Sequence, residues 1–521
     1  MMMISNKWIA LIGGALLVGG IGCGDDDPAP STNNNNNNTT GTNNDTTGTN
    51  NDTTGTNNDT TGTNNDTTVA QTARLQVIHN SPDPGAETVD VYVNGEMFLD
   101  DFDYLTSTPF QDVPAGVELS VAIAGGDSES VADAIATFEY TLEADSSTIL
   151  VAGGVLDPSA FDSIPDGQGA FNLFAIANAE ETATGGARAA VFHGGVDAPA
   201  VDIRLNNDPN AVPVEGAAFG DATAYLDLPA GELILLDVLV SESGARAASF
   251  QALVPEVAAV VAASGFIAGG DEVPGFGLYA FLASGGQAIP LPQAARAQVI
   301  HNAADPSAAV VDVYLNGNIA LDDFAFRNAS PFITVPSSAD IPVSVEGGDS
   351  TEAGDAVATV RFEPGSTNVI IANGVLDTAD FVENPSGEDI AFGLWVKTDA
   401  REAALDPTKV EFFGVHGATD APNVDIRTGA DVLLGDIMYG DISDYLAIDP
   451  ASYLLNVTAA GNPAFIAHSA TLDATTLGGA ALTVLASGFL DPSTNNDGED
   501  FQLVAFPATG GPAIVLPELL P

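Results

Sequence analysis

From Ala73 to the C-terminus, apolar positions come in short β-branched runs broken by Gly, Pro, Asn and Asp. No stretch there keeps a helical period over three turns. Val89, Val91 and Val93 alternate with Asp90 and Tyr92, and Asn94-Gly95 follows at once. That pattern predicts a half-buried strand closing on a two-residue hairpin. Val113-Pro-Ala-Gly116 and Leu228-Pro-Ala-Gly231 predict turns leading into strands at Leu119–Ile123 and Leu233–Val240. Ser147–Val151 and Phe171–Ala175 supply the last strands of the first unit. About seven strands in roughly 110 residues predict an all-β chain of antiparallel two-sheet sandwiches, immunoglobulin-like or transthyretin-like.

The strand pattern repeats four times. Each unit opens on a strand ending in histidine: Arg74–His79, Arg188–His193, Arg296–His301 and Glu411–His416. An aspartate follows four residues later, at Asp83, Asp197, Asp305 and Asp420, and a Val-Asp-Val or Val-Asp-Ile strand comes next. Asn94-Gly95 and Gly125-Gly-Asp-Ser128 recur in the third unit as Asn316-Gly317 and Gly347-Gly-Asp-Ser350. Ala263-Ser-Gly-Phe266 of the second unit recurs in the fourth as Ala486-Ser-Gly-Phe489. The order is A-B-A′-B′, a duplicated two-domain block, with domains expected at 73–186, 187–294, 295–407 and 408–521.

The first 72 residues read differently. Lys7 precedes an apolar run of 14 residues, Trp8–Ile21, too short to span a bilayer but suited to a signal sequence. It ends in Gly20-Ile-Gly22-Cys23, which resembles the lipobox of bacterial lipoproteins. The resemblance implies a signal peptide over 1–22 and a diacylglycerol on Cys23, the membrane contact of the mature chain. Residues 23–72 hold Asp25–Asp27, Asn33–Asn38 and four copies of Thr-Thr-Gly-Thr-Asn-Asn-Asp. With almost no apolar surface to offset ordering entropy, this segment is expected to be a disordered tether.

Charge narrows the partners. Seventy-one acidic residues against 12 Lys plus Arg give a formal charge of −59. Such a field repels phosphate backbones and excludes nucleic acid as a partner. A single cysteine allows no internal disulfide, so each domain is expected to build its own core.

Candidate chemistry concentrates on the repeated pairs His79/Asp83, His193/Asp197, His301/Asp305 and His416/Asp420. One reading is a metal or acid–base site in each domain. The other is structural, with the histidine bonded to the turn aspartate or to backbone. Zinc needs three or four ligands, and no second His or Cys lies nearby in sequence. A triad needs a nucleophile, and Ser81 occurs only in the first unit. The structural role is therefore expected, with no catalytic residue and no metal. Asp90, Asp202, Asp312 and Asp425 should face outward by strand alternation and pair with Arg74, Arg188 and Arg296 where those exist. His468 has no repeat counterpart and is expected to be incidental. Acidic loops at Asp157–Asp166, Asp377–Asp389 and Asp491–Asp500 raise calcium as a cofactor, but Ser493 and Val504 stand where a calcium loop of the EF-hand type needs Asp and Glu.

Arg-x-x-Val-x-His-x-x-x-Asp, then Val-Asp-Val-Tyr-x-Asn-Gly, then Val-Pro-Ala-Gly resembles the bacterial repeat called domain of unknown function 4397. The resemblance runs from Ala73 to the C-terminus. It departs in the fourth unit at Glu411 and at Asp449-Pro-Ala-Ser452. It implies tandem extracytoplasmic domains with no established activity. The expected function is a non-enzymatic, lipid-anchored protein of the outer-membrane surface, contacting an extracellular protein or glycan. The alternatives are an envelope hydrolase, which should carry a polar cluster unique to one domain, and a calcium-dependent adhesin.

Overall fold

A computed structural model describes residues 71–270 and 272–519. The signal, Cys23 and tether readings lie outside them. The described chain is all-β; its helices are six 3-10 turns of three residues each, and no helix is long and apolar enough to cross a membrane.

In the first unit the strands are β1 (Thr72–Asn80), β2 (Thr88–Val93), β3 (Glu96–Asp103), β4 (Thr106–Ser107), β5 (Gln111–Pro114), β6 (Glu118–Gly125), β7 (Ala136–Thr141), β8 (Ser147–Gly153) and β9 (Asn172–Ala177). One sheet runs β3-β2-β6-β7; the other has β1 at its centre, with β8 then β9 on one side and β4 and β5 on the other. The β2–β3 hairpin turns at Asn94 and Gly95, with φ of 52° and 85°, as the Asn-Gly pair requires. Leu75 and Val77 of β1 meet Val89, Val91, Leu119, Val121 and Ile123 of the facing sheet. The ladders are antiparallel except for one pair, β1 with β8. The corresponding pair in each of the other units is also parallel.

That parallel pair explains an oddity of the sequence. A strand covered on one face alternates, but Leu-x-Val-Ile in β1 and Ile-Leu-Val in β8 are apolar on both faces. The second face is buried against the next unit. Ile78, Phe110, Ile149, Val151 and Ile176 pack on Ala190, Phe192, Val260, Ala262 and Phe281. The first two units therefore stack four sheets around three apolar layers, one of them shared, where the sequence suggested a self-sufficient core in each. The pairing continues through the edges. Gly286–Gln287 of the second unit adds to β4, and buried Gln76 donates to Thr108 O and Leu282 O, both at 2.8 Å. The third and fourth units repeat the device. Ile300, Phe332, Val369 and Ile371 meet Phe413, Val415, Leu485, Val504 and Phe506, and Gln298 bridges Ser330 O and Pro507 O.

The two pairs meet through polar groups instead. Asp237, 1% exposed, takes hydrogen bonds from Thr334 Oγ1 at 2.5 Å and Ser249 Oγ at 2.7 Å, and ion pairs with Arg204 at 2.6 Å and Arg246 at 3.2 Å. Burial opposes its charge, but these donors outweigh burial and hold the carboxyl below its ordinary range. Arg246 and Arg296 converge on Glu402. Asn207 exchanges two hydrogen bonds with the Thr334 backbone.

Candidate functional site

The four repeated histidines stand at the end of the first strand of their units, or one residue before it at His79, and are all buried, between 0% and 3% exposed. Each Nε2 donates to a backbone carbonyl of the turn that follows. The acceptors are Ala86 O at 2.8 Å, Pro199 O at 3.1 Å, Ala308 O at 2.7 Å and Pro422 O at 3.1 Å. A carbonyl can only accept, so this fixes the Nε2–H tautomer. Burial pushes His79 down to about 4 against the smaller opposing effect of its bond to Ala86, and burial lowers the other three as well. The imidazoles are neutral braces at physiological pH.

The turn aspartates do not touch them. Asp83 accepts from Gly85 N at 2.8 Å and Leu156 N at 2.6 Å, and Asp305 from Ser307 N at 2.8 Å and Leu376 N at 2.9 Å. Asp197 takes the amides of Ile267 and Ala268, and Asp420 those of Leu490 and Asp491. Each therefore ties its turn to the loop after the parallel partner strand. Of the two bonding schemes open to the histidines, the backbone one is realised, and His and Asp serve different peptide groups. Among the described residues no group of three or more His, Cys, Asp or Glu is placed to hold a metal ion. In the acidic loops, Asp157, Asp377 and Asp491 cap 3-10 turns, accepting from Ser159 N, Ala379 N and Ser493 N.

The strand aspartates correct the sequence reading. They do point away from the sandwich core, but they are not paired with Arg74, Arg188 or Arg296; Asp425 lies 3.7 Å from Arg427 of its own strand. Asp90, Asp312 and Asp425 are buried and Asp202 half-buried. Asp90 Oδ1 accepts from Asp101 N at 3.0 Å, Asp312 from Asp323 N at 2.9 Å, Asp425 from Asp436 N at 2.8 Å and Asp202 from Gly216 N at 2.7 Å. All four donors sit at positive φ, between 51° and 63°, where the ladder slips register in a bulge. The carboxylate satisfies an amide that the bulge removes from the ladder. Ser128 and Ser350 of the Gly-Gly-Asp-Ser segments donate their hydroxyls to the same carboxylates at 2.5 and 2.6 Å, which accounts for that shared motif. Arg74 pairs with Glu181 and Asp112, Arg188 with Glu180 and Asp227, and Arg296 with Glu402. Replacing Asp90 with Ala strands the Asp101 amide and should cost about 1–3 kcal/mol, read as a lower urea midpoint. Asp90→Asn, which keeps one acceptor, should lose less.

His468 is not incidental in position. It lines an apolar cavity inside the fourth unit, which periodicity alone could not reveal. The one sequence signal was Gly414, standing where the other units have Val77, Val191 and Val299.

Residues 73–173 and 410–502 match the model of a family described as Domain of unknown function (DUF4397). No curated protein matches the chain in sequence. Among solved structures, one from work titled "Alpha-glucan recognition by family 41 carbohydrate-binding modules from streptococcal virulence factors" is 12% identical, over 36% of this chain and 93% of that one. Its TM-score is 0.13, too low to bear on function. With the same histidine brace and aspartate-pinned bulge in every unit, the chain is a tandem-repeat protein whose first and fourth units match the DUF4397 model.

Proposed function

We propose that this protein is a non-enzymatic, lipid-anchored protein of the bacterial cell surface, whose paired β-domains bind an extracellular protein or glycan. The observation that carries this reading is the fate of the repeated polar residues. In all four units the histidine and both aspartates are spent on backbone groups of their own domain, which is how a scaffold uses buried polar side chains. The charge of −59 favours partners that are neutral or basic. The calcium-dependent alternative gains no support from loop aspartates already bonded to turn amides.

Anchoring is tested on Cys23. Cys23→Ala should move the protein from the detergent phase to the aqueous phase or block its maturation, and protease added to intact cells should trim the wild type. Unchanged partitioning of the variant refutes the anchor. The binding role is tested by passing envelope glycans and proteins over immobilised residues 71–521. Retention of one of them without turnover is expected, and turnover by the same fragment refutes the non-enzymatic reading.

A further inference from the structure

The fourth unit differs inside from its sibling. Between the two sheets of the third unit the unfilled space is about 40 Å³, lined by Val299, Val313 and Phe324 among others. At the same level of the fourth unit the space is about 300 Å³. Gly414 stands where the other units place a valine, and the Leu434 side chain takes the position that a Cβ there would need, so the cavity lies beyond it, among Leu455, Val457, Val484 and Leu503. On the other side, the edge strand Asn462–Asp473 slips register twice against Ser452–Ala459. Phe465 and Ile466 of that slipped stretch, and Leu490 across from them, also line the cavity yet are 59%, 53% and 45% exposed. Large apolar side chains at a mouth, leading to apolar walls, describe an entrance.

We propose that the fourth unit binds one small, uncharged, apolar molecule carrying a single hydrogen-bond donor inside its sandwich, beside His468. Size, charge and polarity each narrow the occupant. A cavity of about 150 Å³ holds a benzene, so this one suits a molecule of about two fused rings or the equivalent aliphatic length. The acidic surface disfavours an anionic head such as a carboxylate. His468 supplies the polar contact. Its side chain is 9% exposed, its Nδ1 lies 3.5 Å from Glu518 Oε1, and its ring meets Phe501 edge-on. A proton on Nδ1 faces the carboxylate and leaves Nε2 an acceptor, and Nε2 is buried without a partner. Burial also lowers the imidazole's affinity for a second proton. The ligand that answers a buried neutral acceptor is a hydroxyl or N–H on a hydrocarbon frame.

The probe for this is 2-naphthol, two fused rings, neutral, apolar and bearing one O–H, titrated into residues 24–521. Saturable fluorescence enhancement with one site per chain is expected. Ala486→Phe puts a ring into the cavity; it should abolish the enhancement while leaving the melting temperature unchanged or raised. The same change at the equivalent position of the tightly packed third unit, Ala372→Phe, should lower the melting temperature and leave probe binding intact. His468→Phe, which keeps the packing and removes the acceptor, should weaken binding about tenfold. Absence of saturable binding, binding that survives Ala486→Phe, equal loss of stability in both alanine variants, or full affinity in His468→Phe each overturns the proposal.

Discussion

Residues 71–294 expressed alone will give a soluble two-unit fragment that unfolds cooperatively, whereas residues 71–186 will not fold stably. The shorter fragment keeps every side chain of its own sandwich core but loses the layer over its second face. Ile78, Phe110, Ile149, Val151 and Ile176 would turn to water. Leaving each exposed costs about 1.5–3 kcal/mol, which together approaches the whole stability of an ordinary domain, about 5–15 kcal/mol. β4 would also lose Gly286–Gln287 as an edge partner, and Gln76 one of its two carbonyls. The longer fragment keeps all of this. It gives up only Thr334 among the partners of Asp237, and Arg204, Arg246 and Ser249 remain. Circular dichroism and thermal unfolding of the two fragments make the comparison. A cooperative transition in 71–186 at the temperature of the longer fragment would show that the shared layer contributes little.

Acid will destabilise the protein well above the range in which carboxylates titrate. The histidines at the four repeat positions have folded pKa values below the ordinary 6.5, His79 at about 4. Below 6.5 the unfolded chain takes up protons that the folded chain refuses, so stability is full above that pH and is lost as pH falls through the interval down to the folded value. For His79 alone the interval from 6.5 to about 4 corresponds to on the order of 3 kcal/mol. The other three act in the same direction. Asp237, with its carboxyl held low, adds a loss of the same sign at lower pH, as its folded pKa is passed. Urea midpoints of residues 71–294 at pH 7.5 and 4.5 should differ strongly, and His79→Gln should shrink the difference while lowering the value at pH 7.5. Equal midpoints at the two pH values in the wild type would mean that the imidazoles are charged in the folded chain.

Strand content, turns and the fourfold repeat were determined by sequence alone, because each rests on local chemistry. Val89-x-Val91-x-Val93 followed by Asn-Gly can hardly be other than a strand entering a hairpin, since asparagine and glycine tolerate the positive φ found at Asn94 and Gly95. The equivalence of the four histidines was equally legible, whereas their bonding to a turn carbonyl was one of two schemes that the sequence left open. What alternation cannot say is what covers a face. It placed Asp90 opposite the core, yet the outward side of that strand is closed by its own bulge and by Ser128, so a residue expected at the surface with an arginine became a buried acceptor of a backbone amide. Alternation likewise left the apolar second face of β1 unexplained until the sheet of the next unit was seen against it. Only the tertiary structure decided that the domains come as fused pairs, that arginines from two units meet at Glu402, and that the sheets of the fourth unit enclose an unfilled space. The physical reason is the same in each case. Local sequence sets which way a side chain points, but whether it meets water, a neighbour or an empty space depends on other elements, from the neighbouring bulge at Asp90 to a strand more than a hundred residues away, as with Ile78 and Phe192.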